Sequence, residues 1–144
     1  MADIHTILDF WFRSGQTLRA DRRRLWFSVD PGFDRLCIER FAGDYAAAAA
    51  GGLDHWKREP PSCLALVLLL DQFPRNMFRN TARAFATDSA ALSVAHSAIA
   101  EGLDRRLPPL ERVFFYMPFM HSEQIANQDE SVRLCRNLAR DSPE

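Results

Sequence analysis

Between Cys63 and Phe73 the chain reads CLALVLLLDQF, apolar on every side of a helical wheel rather than along one stripe. A helix of that kind has no face to give to water and must lie among other elements. Its apolar core, Cys63 to Leu70, is far short of the ~20 residues that span a bilayer, so it belongs at the centre of a folded domain. The surrounding elements must be helical too. Nowhere does the chain alternate apolar and polar residues as a half-buried strand requires. The fold class is all-α.

The helices around the centre have readable starts and stops. Ile4, Ile7, Leu8 and Trp11 recur at helical spacing and predict a helix from Asp3 to Phe12. Arg13 to Val29 reads as a loop, with Leu25, Trp26 and Phe27 folding back into the core. Asp30-Pro31 is a start signal, an acceptor at the N-cap and proline at the first helical position. Phe33, Leu36, Cys37, Phe41 and Tyr45 mark the inner face of that helix. The alanine run 46–50 extends it and invites close approach by a neighbour, and Gly51-Gly52 ends it. Pro60-Pro61-Ser62 opens the central helix with Ser62 as its cap, and Pro74 predicts a turn at Phe73. Thr87 or Asp88 caps a helix from Ser89 to Glu101, with Leu92, Ala95 and Ile99 inward and Gly102 as its stop. Pro108-Pro109 begins a short helix carrying Val113, Phe114 and Met117, which Pro118 breaks. Ser122 caps the last one, with Ile125, Val132, Cys135 and Leu138 as its seam.

These signals predict about five to seven helices packed as antiparallel hairpins in one domain over residues 1–144. Helix starts near 31, 62, 88 and 122 approach the ~34-residue period of tetratricopeptide units, but irregularly and without their tryptophan, glycine and tyrosine consensus. A chain of 144 residues suffices to bury roughly 68–70% of its unfolded surface.

Composition excludes several classes. Net charge is −1, without the basic surplus that nucleic-acid binding normally needs. Arg19, Arg22, Arg23 and Arg24 form a basic run that Asp21 interrupts, the pattern of a solvated loop. The three cysteines, Cys37, Cys63 and Cys135, are dispersed with no CxxC, which argues against a zinc knuckle or redox pair and fits a reducing cytoplasm. No charged leader precedes an apolar core at the N-terminus. The expectation is a cytoplasmic protein acting on neither membrane nor nucleic acid.

The central run ends in LDQFPRNMFRN, where Asp71, Arg75, Asn76 and Arg79 fall within nine positions. A carboxylate in the last turn of a helix opposes the helix dipole unless a cation compensates, and Arg75 is the partner in reach. Asn76 suits a turn. One reading makes these residues a structural clamp between two helices. The other makes Arg75, Asn76 and Arg79 a donor cluster for a carboxylate or phosphate. A second constellation, FFYMPFMHSEQIANQ over 114–128, sets His121 and Glu123 beside a proline break, where a helix is expected to begin. Ser122 and Glu123 suit that helix start as cap and first-turn acid, and His121 suits either packing or acid–base work.

Sharper chemistries do not fit. His-x-Glu lacks the downstream Pro-Cys-x-x-Cys of zinc deaminases. No His-Glu-x-x-His, Walker lysine motif, Gly-x-Gly-x-x-Gly or Gly-x-Ser-x-Gly occurs. His5, His55, His96 and His121 lack ligand spacing, so no metal or cofactor is expected.

DFWF at 9–12, FDRLCIERF at 33–41, LALVLLLDQFPRNMFRNTARAFATD at 64–88, FFYMPFMHSE at 114–123 and Gln128 together resemble the bacterial domain-of-unknown-function family numbered 924. The resemblance implies an all-helical, tetratricopeptide-like right-handed stack. It also implies that Asp71, Arg75, Asn76, Asp88, His121, Glu123 and Gln128 belong to a shared polar pattern at helix ends, where such a stack presents its concave face. Family members continue into a further basic-aromatic segment, absent before Glu144, so any site that this segment helps to line is expected to be incomplete. The strip of Val132, Cys135 and Leu138 is correspondingly expected to be less covered, giving either a homodimer or a weakly ordered last helix.

Three functions are compatible with these residues. The first is a binding module that holds an anionic small molecule or peptide carboxylate through Asp71, Arg75, Asn76, Arg79, Asp88, His121 and Gln128. The second is a hydrolase-type enzyme with His121 or Glu123 as acid–base group and Arg75 steadying an oxyanion. The third is a protein-interaction scaffold.

Overall fold

In the computed structural model, residues 3–12 and 26–141 are described, and every regular element among them is helical. In chain order these are α1 (Ile4–Phe12), α2 (Pro31–Ala49), α3 (Pro60–Val67), α4 (Phe73–Met77), α5 (Asp88–Ala100), α6 (Pro109–His121) and α7 (Ile125–Asp141). Short 3-10 turns occupy Asp54–Arg58, Ala82–Phe85 and Asp104–Arg106. The basic run 19–24 and Leu25 lie outside the described residues.

The central run is buried as its composition demands, with every residue from Ser62 to Met77 buried except Arg75. α3 and its continuation touch α1, α2, α5 and α6. Trp11, Phe41, Phe73 and Phe114 close around it with almost no exposure. Trp26 does fold back, donating from Nε1 to the Trp11 carbonyl at 2.9 Å and meeting Phe114 edge-on at 5.0 Å. Phe27 does not; it is 65% exposed.

The prediction that the chain turns at Phe73 is overturned. Helix continues from α3 into α4 through a π-helical turn, Leu68–Gln72, in which the Phe73 N–H donates to the Leu68 carbonyl five residues back. In a regular α-helix residue 74 would donate to the Leu70 carbonyl, and proline has no N–H to give. The Thr87 hydroxyl donates to that carbonyl instead at 2.7 Å, and Arg75 Nη1 donates to the neighbouring Asp71 carbonyl at 2.6 Å. One distant side chain, Thr87, thus takes the place of the missing ladder bond, and the helix survives its proline. Pro118 likewise lies inside α6, which runs on to His121 rather than breaking.

The caps are mixed. Asp30 Oδ1 accepts from the Phe33 N–H at 2.9 Å, as Asp30-Pro31 predicts. α2 ends with Gly51 at φ 86° while the Gly52 N–H reaches back to the Ala47 carbonyl at 2.8 Å, a closure that favours glycine. Gly102, at φ 76°, follows α5 in the same way. Ser62 is not a cap: it sits inside α3, and its hydroxyl donates to the Trp56 and Glu59 carbonyls at 2.6 and 3.1 Å. Of the alanine run, Ala48 alone is buried, so the run is mostly solvated surface rather than a close-approach seam.

Inner faces shift by a residue in places. Leu36 is 40% exposed, and the face of α2 is completed instead by Asp44 and Ala48. Leu92 and Ile99 are half-buried on α5, where Ala91, Val94, Ala95 and Ala98 make the core contact. On α7 the seam is Ser131, Leu134 and Leu138 with Cys135 half-buried, while Ile125 and Val132 are 74% and 48% exposed. The expected uncovered strip is therefore reduced to Val132. α6 and α7 share the most extensive helix–helix contact, closed by a turn at residues 122–124.

Burial controls the thiols. Cys37 and Cys63 are buried, and desolvation pushes the Cys63 thiol up to about 12; the half-buried Cys135 is raised for the same reason. Because the thiolate is the reactive species, a disulfide reagent near neutral pH should modify Cys135 alone in the native protein, slowly, and all three thiols in denaturant. Rapid native modification of Cys63, read by mass spectrometry, would contradict the central packing.

Candidate functional site

The π turn carries the site's buried acid. Asp71 has no exposed surface, and such turns within α-helices often mark functional positions because they re-aim side chains. Its Oδ2 accepts from Gln72 Nε2 at 2.6 Å, and its Oδ1 lies 2.9 Å from His121 Nδ1. The proximity of His121 follows from α6 continuing past Pro118. His121 therefore ends a helix rather than preceding one, which corrects the expectation that a helix begins there.

A carboxylate can only accept, so the hydrogen in the Asp71–His121 contact belongs to Nδ1. In a neutral imidazole bonded in this way the lone pair is on Nε2. His121 lines a cleft of about 700 Å³, together with Arg75, Phe85, Asp88, Leu92, Pro118 and Glu123. The arrangement is that of a histidine oriented by a buried carboxylate, with its second nitrogen available as acceptor.

Arg75 crosses the same cleft wall. Its Nη1 and Nη2 donate to Asp88 Oδ1 and Oδ2 at 2.9 and 3.0 Å, a bidentate fork. Nη1 also serves the Asp71 carbonyl and sits 3.4 Å from Asp71 Oδ1. Asp88 is thus the main partner of Arg75, and His121 and Gln72 are the close side-chain partners of Asp71. The guanidinium lies 5.3 Å from the centre of the Phe85 ring.

The other expected members go elsewhere. Asn76, inside α4 rather than in a turn, donates from Nδ2 to Asp34 Oδ1 at 2.9 Å. Arg79 grips the same carboxylate from Nε at 2.8 Å and from Nη2 at 3.1 Å, and that hydrogen bonding raises its pKa above the ordinary arginine value. Asp34, on α2, is not among the sequence-derived candidates; only its place in FDRLCIERF marks it. Asn76, Arg79 and Asp34 form a clamp between α2 and α4. Gln128 donates from Nε2 to the Ser122 carbonyl at 2.8 Å and so holds the α6–α7 turn. Glu123 is exposed on the cleft rim, with no basic group at ion-pairing distance among the described residues.

A second cavity of about 550 Å³ lies between α5, α6 and α7 and includes Asp104, Arg112 and Tyr116. Its buried polar groups are spent mainly on one another. Tyr116 donates to Asp104 Oδ2 at 2.5 Å, and Arg112 Nε donates to the Tyr116 hydroxyl at 3.2 Å. Burial, reinforced by Asp104, pushes the Tyr116 phenol up to about 12. Asp104 Oδ1 has no partner among the described residues, but it is shut off from the cavity's solvent. Of these two, the first cleft combines an oriented histidine with an open approach. Among the described residues no group of three histidine, cysteine or acidic side chains is placed to hold a metal ion. No helix among them is long and apolar enough to cross a membrane.

Comparison with known proteins places this geometry in a family context. Residues 7–144 match the sequence model of a bacterial protein family of unknown function, DUF924. The chain is similar to a solved structure, the protein of unknown function ATU0120 from Agrobacterium tumefaciens. The two are 42% identical with a TM-score of 0.85, over 94% of this chain and 73% of that one. No curated protein matches.

Proposed function

Because the chain belongs to the bacterial protein family of unknown function DUF924, we propose that its role resides in the polar cleft built on the π turn, and that this cleft binds a small molecule bearing an N–H or O–H donor. One observation carries the reading: His121 Nδ1 is tied at 2.9 Å to a carboxylate with no exposed surface, so Nε2 is an oriented acceptor at the cleft wall. The cleft volume of about 700 Å³ falls in the range of small-molecule sites, roughly 300–1,000 Å³. Its walls come from the 3-10 turn at Ala82–Phe85 and from α4, α5 and α6, which supports reading these helices as one domain. The tetratricopeptide-like hairpin arrangement belongs to this proposal, with the cleft on its concave side.

The anionic ligand anticipated for Arg75 is not the reading this geometry favours, because both Nη atoms of that guanidinium already serve Asp88 and Asp71. A second reading, acid–base catalysis, is favoured by the same dyad. A carboxylate-oriented imidazole with a free Nε2 is the arrangement of a general base, and it would act on a donor held in the cleft. Binding is common to both readings.

The test is a fragment screen followed by nitrogen NMR of the histidine rings. The unliganded protein should show His121 in its Nδ1–H tautomer, and bound fragments should shift the Nε2 resonance. His121→Gln should abolish their binding while leaving the fold intact, since His121 is a quarter exposed. Fragments that perturb Arg112 and Tyr116 instead would move the site to the second cavity and overturn the proposal.

A further inference from the structure

Resting on the cleft assignment above, we infer that its ligand is a small organic cation with a flat apolar body, its charged end facing Glu123 and His121 Nε2 and its body lying against Phe85. The charge inventory points there first. Arg75 is the basic group fixed in the wall, against Asp88 and Glu123 on the lining and Asp71 behind it. The formal sum is negative whichever charge His121 carries, and Arg75 is already shared between two of those carboxylates. Glu123 remains exposed, with no basic partner among the described residues. An incoming anion would meet a spent guanidinium and an unneutralised carboxylate.

One field opposes this assignment. α5 begins at Asp88, and the N-terminus of a helix carries roughly half a positive charge that would favour an anion. That position is already filled, because Asp88 itself sits in the first turn and holds Arg75. The full charge of Glu123 therefore outweighs what is left of the dipole.

Shape and hydrogen-bonding sense agree with charge. His121 Nε2 in the neutral tautomer accepts and cannot donate, so it calls for an N–H on the ligand. A carboxylate rim calls for the same. Phe85, on a short turn, is 60% exposed although it is among the largest apolar side chains at the site. Its ring is attracted to Arg75 at 5.3 Å, and its remaining open surface lines the cleft with Leu92 and Pro118. Aromatic faces attract cations as well as flat apolar bodies. An amidinium, guanidinium or primary ammonium on an aromatic ring satisfies all three demands.

Benzamidine, benzamide and benzoate share one ring and differ in charge, which makes them a direct probe set for NMR titration of the full chain. Benzamidine should shift the His121 Nε2 and Phe85 resonances at concentrations at which benzoate does nothing. Glu123→Gln should weaken benzamidine about fivefold, the scale of one exposed ion pair, and Phe85→Ala by a similar factor. Both side chains are exposed, so these variants should fold. If benzoate or benzamide binds as well as benzamidine at His121, the cation inference fails and the cleft assignment stands. If benzamidine affinity is unchanged in Glu123→Gln and Phe85→Ala, the proposed orientation of the cation is overturned. If none of the three perturbs His121, the cleft assignment and the cation inference fall together.

Discussion

Leu69→Asp should leave a chain with no cooperative unfolding transition. Leu69 has no exposed surface and lies in the π turn, with Leu66 and Phe73 on either side in sequence and equally enclosed. A carboxylate placed in that apolar cluster must either stay charged in the interior or take up a proton to avoid it. The penalty for such a group is several kcal/mol, comparable with the ~5–15 kcal/mol by which domains are stable at all. Ile125→Asp supplies the control. That side chain is 74% exposed, so the same chemical change should alter stability by no more than about 0.5 kcal/mol. Circular dichroism melts of both variants decide the matter. A cooperative melt for Leu69→Asp near the wild-type midpoint would mean that the central segment is not the core.

That burial is legible in the sequence because it depends on composition alone: CLALVLLL has no polar face in any helical register. Asp30, Gly51 and Gly102 are legible because caps are local, a side chain or a left-handed residue acting within a few positions. The prolines mislead for the complementary reason. Pro74 breaks a local rule, but the group that makes it tolerable comes from elsewhere, the Thr87 hydroxyl bonding to the Leu70 carbonyl. No window around Pro74 contains Thr87. The outward rotation of Leu36, Ile125 and Val132 has a similar origin, since which apolar residue faces inward depends on where the neighbouring helix lies.

The site divides along the same line. Asp71 and Arg75 can be paired from their spacing, and the family resemblance groups them with Asp88 and His121. The structure brings those four together. The pairings themselves are not legible: His121 lies 50 positions from Asp71, Asp88 13 positions from Arg75, and Asp34 45 positions from Arg79. Hydrophobic periodicity carries no information about which polar side chains meet across helices. Consequently the apparent donor cluster of Arg75, Asn76 and Arg79 divides between two acids, Asp88 for the first and Asp34 for the other two, although Arg75 and Arg79 still line one surface cavity. α4 turns Arg75 toward Asp88 on α5 and Asn76 toward Asp34 on α2, and the turn after α4 brings Arg79 to the same Asp34.

Arg75→Met should destabilise the protein more than either Asp71→Leu or Asp88→Asn. The guanidinium serves three acceptors at once, the two oxygens of Asp88 and the Asp71 carbonyl, and neutralises the Asp71 carboxylate besides. Its removal leaves two acids close together, one with no exposed surface and one 28% exposed. Breaking a buried ion pair in this way costs roughly 3–5 kcal/mol, and partial exposure of Arg75 and Asp88 puts the expected loss near the lower end. Asp88→Asn keeps hydrogen bonding at an accessible helix start and should cost about 1 kcal/mol or less. Asp71→Leu removes a buried charge but strands the Gln72 amide and the His121 Nδ1–H, for a loss of roughly 1–3 kcal/mol.

In Asp71→Leu/Arg75→Met the carboxylate that the second change would uncover is already gone. The double variant should therefore lose less than the sum of the two singles by at least about 1 kcal/mol, within the range of coupling between side chains in contact. Urea unfolding of the four proteins gives that coupling, and a sum additive to within ~0.5 kcal/mol would show that the two residues stabilise the fold independently. Ligand response then separates the clamp from the site. Asp71→Leu releases the His121 tautomer, so its response to cleft ligands should disappear even where the fold persists, while Asp88→Asn should retain it. An Asp71→Leu protein that still binds those ligands with wild-type affinity would reduce Asp71 to a structural anchor for the π turn and remove the oriented Nε2 from the mechanism of recognition.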